Sequence, residues 1–208
     1  MKIPYSPSQA QPCIGGVETS SIPQGVLVAD AMLKKAPVEM LLSTPTSPGY
    51  YLNLITGEVE NVRSSLEEAQ ELTQNHLRST LFLPDVHPQV LRSLFSISPP
   101  QSWEAVGVLE TRTQLGILEA ADKAVKWADV ELVHIHLGVG IGGKAFLLLT
   151  GAYEEVEEAL QQAQTCLESK QEEILDLVLI GNADPALIPA LMQNPLPQRR
   201  EETKGPFR

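Results

Sequence analysis

Three clusters in this chain of 208 residues have the composition to do chemistry. Residues 138–144, Gly-Val-Gly-Ile-Gly-Gly-Lys, match two phosphate-binding patterns by letter. As Gly-x-Gly-x-x-Gly they would open a dinucleotide site; as Gly-x4-Gly-Lys they nearly make a mononucleotide loop. Both chemistries require a helix directly after the glycines, so that its first N–H groups meet phosphate. Residues 145–150 (Ala-Phe-Leu-Leu-Leu-Thr) read as a strand, and Ala145 stands where a hydroxyl for magnesium is needed. A structural loop is therefore expected, with a nucleotide-using enzyme built on Lys144 as the alternative. His134 and His136 alternate along a predicted strand, so both imidazoles share one face and could chelate a metal. No third ligand is evident in the sequence, and no metal site is assigned. Glu18 and Glu110 each precede a threonine at a strand end. Acid–base work is one use for them, and a structural hydrogen-bonding pair is the expected one.

The remaining reactive side chains are sparse. Cys13 and Cys166 make neither a disulfide framework nor a four-ligand metal site, and are expected to be reduced in a cytosolic compartment. His87, before Pro88, reads as a turn residue. Glu154, Glu155, Glu157 and Glu158 read as a solvated helix face, and Trp103 and Trp127 as packing residues, with chain–chain contacts as one place for them. A net charge of −11 argues against a nucleic-acid partner, which calls for clustered Lys and Arg. The most apolar region, residues 132–149, is interrupted by two histidines, four glycines and Lys144, and does not read as a membrane span.

What must position these groups is written twice. Glu18-Thr19, Asp30, Lys34, Ala36, Val38 and Glu39 recur 92 residues later as Glu110-Thr111, Asp122, Lys126, Ala128, Val130 and Glu131. Gly57, Val62, Leu66 and Ala69 recur 94 later as Gly151, Val156, Leu160 and Ala163, which places two extra residues between strand and helix of the second copy. A fixed internal period of this kind means two copies of one supersecondary unit. The expected organisation is a tail (1–13), a domain (14–97), a turn-rich linker (98–104), a second domain (105–193) and a second tail (194–208). Each copy reads strand, helix, strand, Gly/Pro-rich loop, strand, helix, strand, short helix. That is the β-α-β-β-α-β order of a ferredoxin-like α+β sandwich, an antiparallel sheet with helices on one face. Leu27, Ala31 and Leu33 are the expected inner side of the first helix; Leu118, Ala121, Val125 and Ala128 are that of its counterpart. Val59, Val62, Leu66, Ala69 and Leu72 form the stripe of the next helix.

Residues 106–111 (Val-Gly-Val-Leu-Glu-Thr), 120–126 (Ala-Ala-Asp-Lys-Ala-Val-Lys) and 130–132 (Val-Glu-Leu), with their counterparts in the first copy, resemble the shell domain of bacterial microcompartments. Two such domains in tandem resemble the family's trimeric shell proteins, and residues 86–88 and 140–144 are similar to the type found in propanediol-utilisation compartments. The resemblance spans residues 14–192. It implies a non-enzymatic shell subunit in the bacterial cytoplasm, whose three chains close into a pseudohexameric disc. The disc would tile with other shell proteins and pass small metabolites through an axial pore. It implies that Thr46, Ser47, Pro48, Gly49 and Tyr50 of one copy and Gly140, Ile141, Gly142, Gly143 and Lys144 of the other line that pore. It also implies that Lys34 and Lys126 lie at the disc edge. Two departures follow from the same comparison. Ser47 stands where the propanediol type carries a cysteine that holds an iron–sulfur cluster, so an electron-transfer pore is disfavoured and no cofactor is expected. The basic edge motif after the last strand is also absent, residues 83–88 and 180–185 lacking its arginine.

Overall fold

The computed structural model describes residues 13–73, 75–97, 99–170 and 174–192. The first copy runs β1 (Cys13–Thr19), α1 (Ile22–Lys35), β2 (Glu39–Thr46), β3 (Tyr50–Gly57), α2 (Val59–Leu72), β4 (Leu77–Leu83) and α3 (Pro88–Phe95). The second runs β5 (Ala105–Thr111), α4 (Gln114–Trp127), β6 (Glu131–Leu137), β7 (Ala145–Gly151), α5 (Tyr153–Ser169), β8 (Ile174–Gly181) and α6 (Ile188–Leu191). The sheets have strand orders β2-β3-β1-β4 and β6-β7-β5-β8, antiparallel throughout. This is the tandem ferredoxin-like α+β fold that the duplication implies.

The copies agree down to their irregularities. A bulge falls between Glu18 and Thr19 where β1 meets β4, and between Glu110 and Thr111 where β5 meets β8. A second interrupts β2 between Met40 and Leu42 and β6 between Leu132 and His134. The two extra residues of the second copy lie elsewhere than the sequence reading put them. Thr46 and Tyr50 bound three loop residues, whereas Leu137 and Ala145 bound residues 138–144, so the insertion enlarges the strand-to-strand loop. Cys13, read as tail, is the buried first residue of β1 and pairs with Gly57. Residues 1–12 and 193–208 lie outside the described residues, as does Ser98 of the linker. The rest of the linker is fastened to the second copy. Gln101 N donates to Glu131 Oε1 at 2.9 Å, and Thr150 Oγ1 to the Ser102 carbonyl at 3.1 Å.

Helix α4 shows why the halves form one body. Leu115, Ile117, Leu118, Ala120, Ala121, Ala124 and Val125 are all buried, more than one face of a surface helix can hide. One side lies on its own sheet, and another meets β1, β4 and α3 of the first copy. A single core accordingly joins Ile14, Leu52, Leu54 and Leu81 of the first sheet to Leu109, Leu118, Leu147 and Val156 of the second unit. Helices α1 and α2 cover the other side of the first sheet, around Val17, Ile55, Val28, Met32 and Val62.

The inner side expected for α1 is corrected. Leu27 and Leu33 are exposed, and Gly25, Val28 and Met32 face the sheet. The apolar residues of α1 extend beyond the arc that one sheet can cover, so spacing alone cannot say which of them are inside. The stripe of α2 is likewise shorter than expected. Val62, Leu66 and Ala69 are buried, while Val59 and Leu72, at the helix ends, overhang the sheet.

The joint between the copies rests on a missing side chain. A Cβ on Gly16 would lie 2.6 Å from Leu115 Cδ2, so only glycine lets α4 approach the first sheet. The same register position in the second copy is Val108. Gly16→Val is therefore expected to destabilise the chain by about 1–3 kcal/mol through overpacking. A lower denaturant midpoint with an unchanged slope is the signature to look for.

Candidate functional site: the paired hairpin loops

Each copy ends its second strand in a hairpin, and the two hairpins touch. Gly140 N donates to Ser47 Oγ at 3.0 Å. A Cβ on Gly143, whose φ is +83°, would lie 2.7 Å from the Ser47 carbonyl oxygen, so backbone meets backbone where a side chain could not fit.

Buried polar groups hold the roots of the loops. Glu18, fully buried in β1, accepts from Arg78 Nε at 3.2 Å, Ser79 Oγ at 3.3 Å and Gln114 Nε2 at 3.2 Å. Gln114 Nε2 also donates to Thr46 Oγ1 at 2.8 Å, and the Arg78 guanidinium lies 3.6 Å from the centre of the Tyr50 ring. Thr46 and Tyr50, the two ends of the first loop, are thereby tied to one carboxylate across the two copies. Its counterpart Glu110 pairs with Lys144, at the end of the second loop, at 3.2 Å. Both glutamates thus have the structural hydrogen-bonding role expected of them, each carrying a cation beside its own loop.

The structure brings Ser47, Gly140 and Gly143 together, with Thr46 and Tyr50 at the root. Lys34 and Lys126 lie away from the loops, at the C-terminal ends of α1 and α4. Lys34 pairs with Asp30 at 2.6 Å. Lys126 pairs with Asp122 at 2.7 Å and donates to the Asp85 carbonyl at 2.6 Å. His87 caps α3, its Nδ1 accepting from Gln89 N. Trp103 packs on the second sheet around Val106 and Leu148, whereas Trp127 is exposed with Lys123 over its ring. Sequence reasoning passed over Gln114 and Arg78. The available signal for Gln114 was a break in the repeat, since Ile22 occupies its place in the first copy.

Residues 145–151 form strand β7, so no helix follows the glycines and the phosphate-binding alternatives lose the element they need. A cluster of the iron–sulfur type does not fit these loops either. Ser47 offers a hydroxyl that already accepts from Gly140, and Cys13 sits at the far end of β1 from them. Burial pushes the Cys13 thiol up to about 11 and raises that of Cys166, which keeps both protonated. Among the described residues, no three His, Cys, Asp or Glu side chains are placed to hold a metal ion.

His134 and His136 do share a face beside Phe146, their ring centres 5.8 Å apart. His136 Nε2 lies 2.9 Å from the Val139 carbonyl, and since a carbonyl only accepts, that nitrogen carries the proton. His134 borders a cleft of about 220 Å³ lined by Leu42, Leu94, Phe95, Ile97 and Val139, and neither of its ring nitrogens has a partner. Burial, then the neighbouring His136, pushes its pKa down to about 4.

The fold and the paired loops define the class: a tandem ferredoxin-like protein that presents two equivalent hairpins side by side. The chain belongs to the BMC-domain family, whose model matches residues 13–86 and 105–183. It is 35% identical to the bacterial microcompartment shell protein PduT of Citrobacter freundii over 150 residues, 72% of this chain and 82% of that protein. It is 25% identical to the carboxysome assembly protein CcmO of a Synechocystis species, over 98% of this chain and 85% of that one. A crystal structure of a microcompartment protein from Desulfitobacterium hafniense superposes with a TM-score of 0.77 at 37% identity, covering 86% of this chain and 99% of the other. The fused permuted hexameric shell protein MSM0275 of the RMM microcompartment shares the fold, with a TM-score of 0.58 at 19% identity over 79% and 85% of the two chains.

The stranded imidazole yields a test. Its counterpart in the first copy is Leu42, which packs in the core without polar cost. An unpartnered buried polar group costs about 1–3 kcal/mol, so His134→Leu is expected to raise the melting temperature by a few degrees at pH 7.5. The folded value lies below the ordinary 6.5, so the unfolded chain binds the proton first. Wild-type stability is then complete above about pH 6.5 and falls toward pH 4, which widens the gap to the variant on acidification. A lower melting temperature for the variant at pH 7.5 would show that the imidazole has a partner.

Proposed function

We propose that this protein is a structural subunit of a bacterial microcompartment shell in the cytoplasm, and that it performs no catalysis of its own. Three chains form a disc of six quasi-equivalent domains, and the disc tiles with other shell proteins into a facet. Membership of the BMC-domain family and the likeness to PduT support the shell reading. Among the described residues no helix is long and apolar enough to cross a membrane, in keeping with a wall made of protein alone.

The observation that carries the pore is the meeting of the two hairpins through Gly140 N and Ser47 Oγ. Three chains arranged head to tail would bring six such tips around one axis. Thr46, Ser47, Pro48, Gly49 and Tyr50 would alternate there with Gly140, Ile141, Gly142, Gly143 and Lys144. Small polar metabolites would pass between backbone N–H groups and the Ser47 hydroxyls, with Lys144 held back by Glu110. Lys34 and Lys126 belong to the rim of the disc in this reading.

Ser47→Cys tests the placement of the tips. Three thiols around an axis are expected to give a disulfide-linked pair of chains within each trimer on mild oxidation. Cys13 is buried but Cys166 is only partly so, so the test is run with Cys166→Ser in both proteins, and the one that keeps Ser47 should give none. Uncrosslinked variant trimers would show that the tips point away from the axis.

A further inference from the structure

Strand β6 departs from its counterpart β2 at two neighbouring positions of one face. His134 stands where the first copy has Leu42, and His136 where it has Thr44. The Phe146 ring holds both imidazoles in place. His136 stacks on it with ring centres 5.3 Å apart, and His134 meets it edge-on at 5.8 Å. Strand β6 is the last of its sheet, and α3 occupies its free edge as far as Leu132 through Gln89 and Ser93. Helix α3 ends at Phe95, and the cleft of about 220 Å³ opens there beside both histidines.

The two rings differ in what their nitrogens do. His136 Nε2 donates to the Val139 carbonyl, which leaves a lone pair on its Nδ1. A backbone carbonyl on the far nitrogen is the usual support of a metal-bound histidine. His134 has both nitrogens enclosed, and neither is hydrogen-bonded. A metal–imidazole bond is about 2.0–2.1 Å and a ring nitrogen lies about 1.1 Å from its ring centre, so two imidazoles on one ion have centres up to about 6.3 Å apart. The centres of His134 and His136 are 5.8 Å apart, within that reach. Among the described residues the cleft contributes no carboxylate or thiolate. Imidazole without either suits Cu²⁺, Ni²⁺ and Zn²⁺ rather than Mg²⁺ or Ca²⁺, and copper stands highest in that order.

We infer that His134 and His136 form a binding site for a late first-row transition-metal ion, Cu²⁺ above all. Nδ1 of His136 and a ring nitrogen of His134 are its protein ligands. Two ligands do not fill a coordination sphere, so the remaining positions fall to solvent, and a cleft of this size holds several water molecules. Such an open site exchanges its ion and can take a further small ligand, unlike a closed four-ligand structural site. Because His136 also holds Val139, the ion sits at the root of the loop of residues 138–144. The site lies within one chain and does not depend on the three-chain ring proposed above.

Pulsed electron paramagnetic resonance during a Cu²⁺ titration at pH 7.5 tests it. The parent is the full-length protein with Cys166→Ser, which removes the partly exposed thiol, stripped of metal by a chelator. It is expected to bind a single ion per chain with two imidazoles on the copper. His134→Leu and His136→Gln should each lose one imidazole from the spectrum and at least about tenfold in affinity. His76→Gln should lose neither. Without metal, His134→Leu is expected to be more stable than the parent, so lost binding there cannot come from unfolding. A parent that holds copper through one imidazole or none overturns the site. So does a spectrum that stays unchanged in both His134→Leu and His136→Gln.

Discussion

Everything in this molecule depends on how α4 is buried between the two copies. Its own sheet can cover one side only, and the first copy covers another, which is why Gly16 carries no side chain and Leu115 sits against it. Each large aliphatic side chain moved from water into such a contact contributes about 1.5–3 kcal/mol, enough to hold two small units as one body. The same packing places Gln114 where it can bridge Glu18 and Thr46, so the seam that joins the copies also fixes the first loop. Fold and candidate pore are therefore coupled through one interface.

Duplication explains the differences as well as the likenesses. Once two copies are linked, one seam lies within the chain and the matching faces are left open, and the two can diverge. Where the internal seam has Gln114, the open side has Ile22; where the first copy has Leu42, the second has His134. An exposed apolar face on α1 is a liability in a lone subunit, and such faces mark association surfaces. Its counterpart on α4 is buried, so this face has a structural precedent in the same chain.

Much of the architecture was legible in the sequence because the repeat supplied each element twice. Element order and the antiparallel sheets follow from spacings shared by Glu18 and Glu110, Gly57 and Gly151. The strand after residues 138–144 was readable from its run of apolar residues, and it separates these loops from nucleotide sites with the same letters. The inner side of α1 was not legible. Leu27 and Leu33 have the spacing of core residues yet are exposed, and spacing cannot distinguish Leu33 from its buried counterpart Val125 on α4. The clamp of Arg78, Glu18 and Gln114 was hidden for a related reason: its members come from three strands and helices, far apart in sequence, and no local pattern links them. Asp85 and Asn182 share a backbone conformation rather than a residue type, which sequence comparison cannot register.

An electron cryo-microscopy map of the assembled protein tests the central claim most directly. The expected density has threefold symmetry and six similar lobes, with the hairpins of residues 46–50 and 138–144 around the axis. A particle of any other symmetry, or one in which those hairpins lie away from the axis, would contradict it.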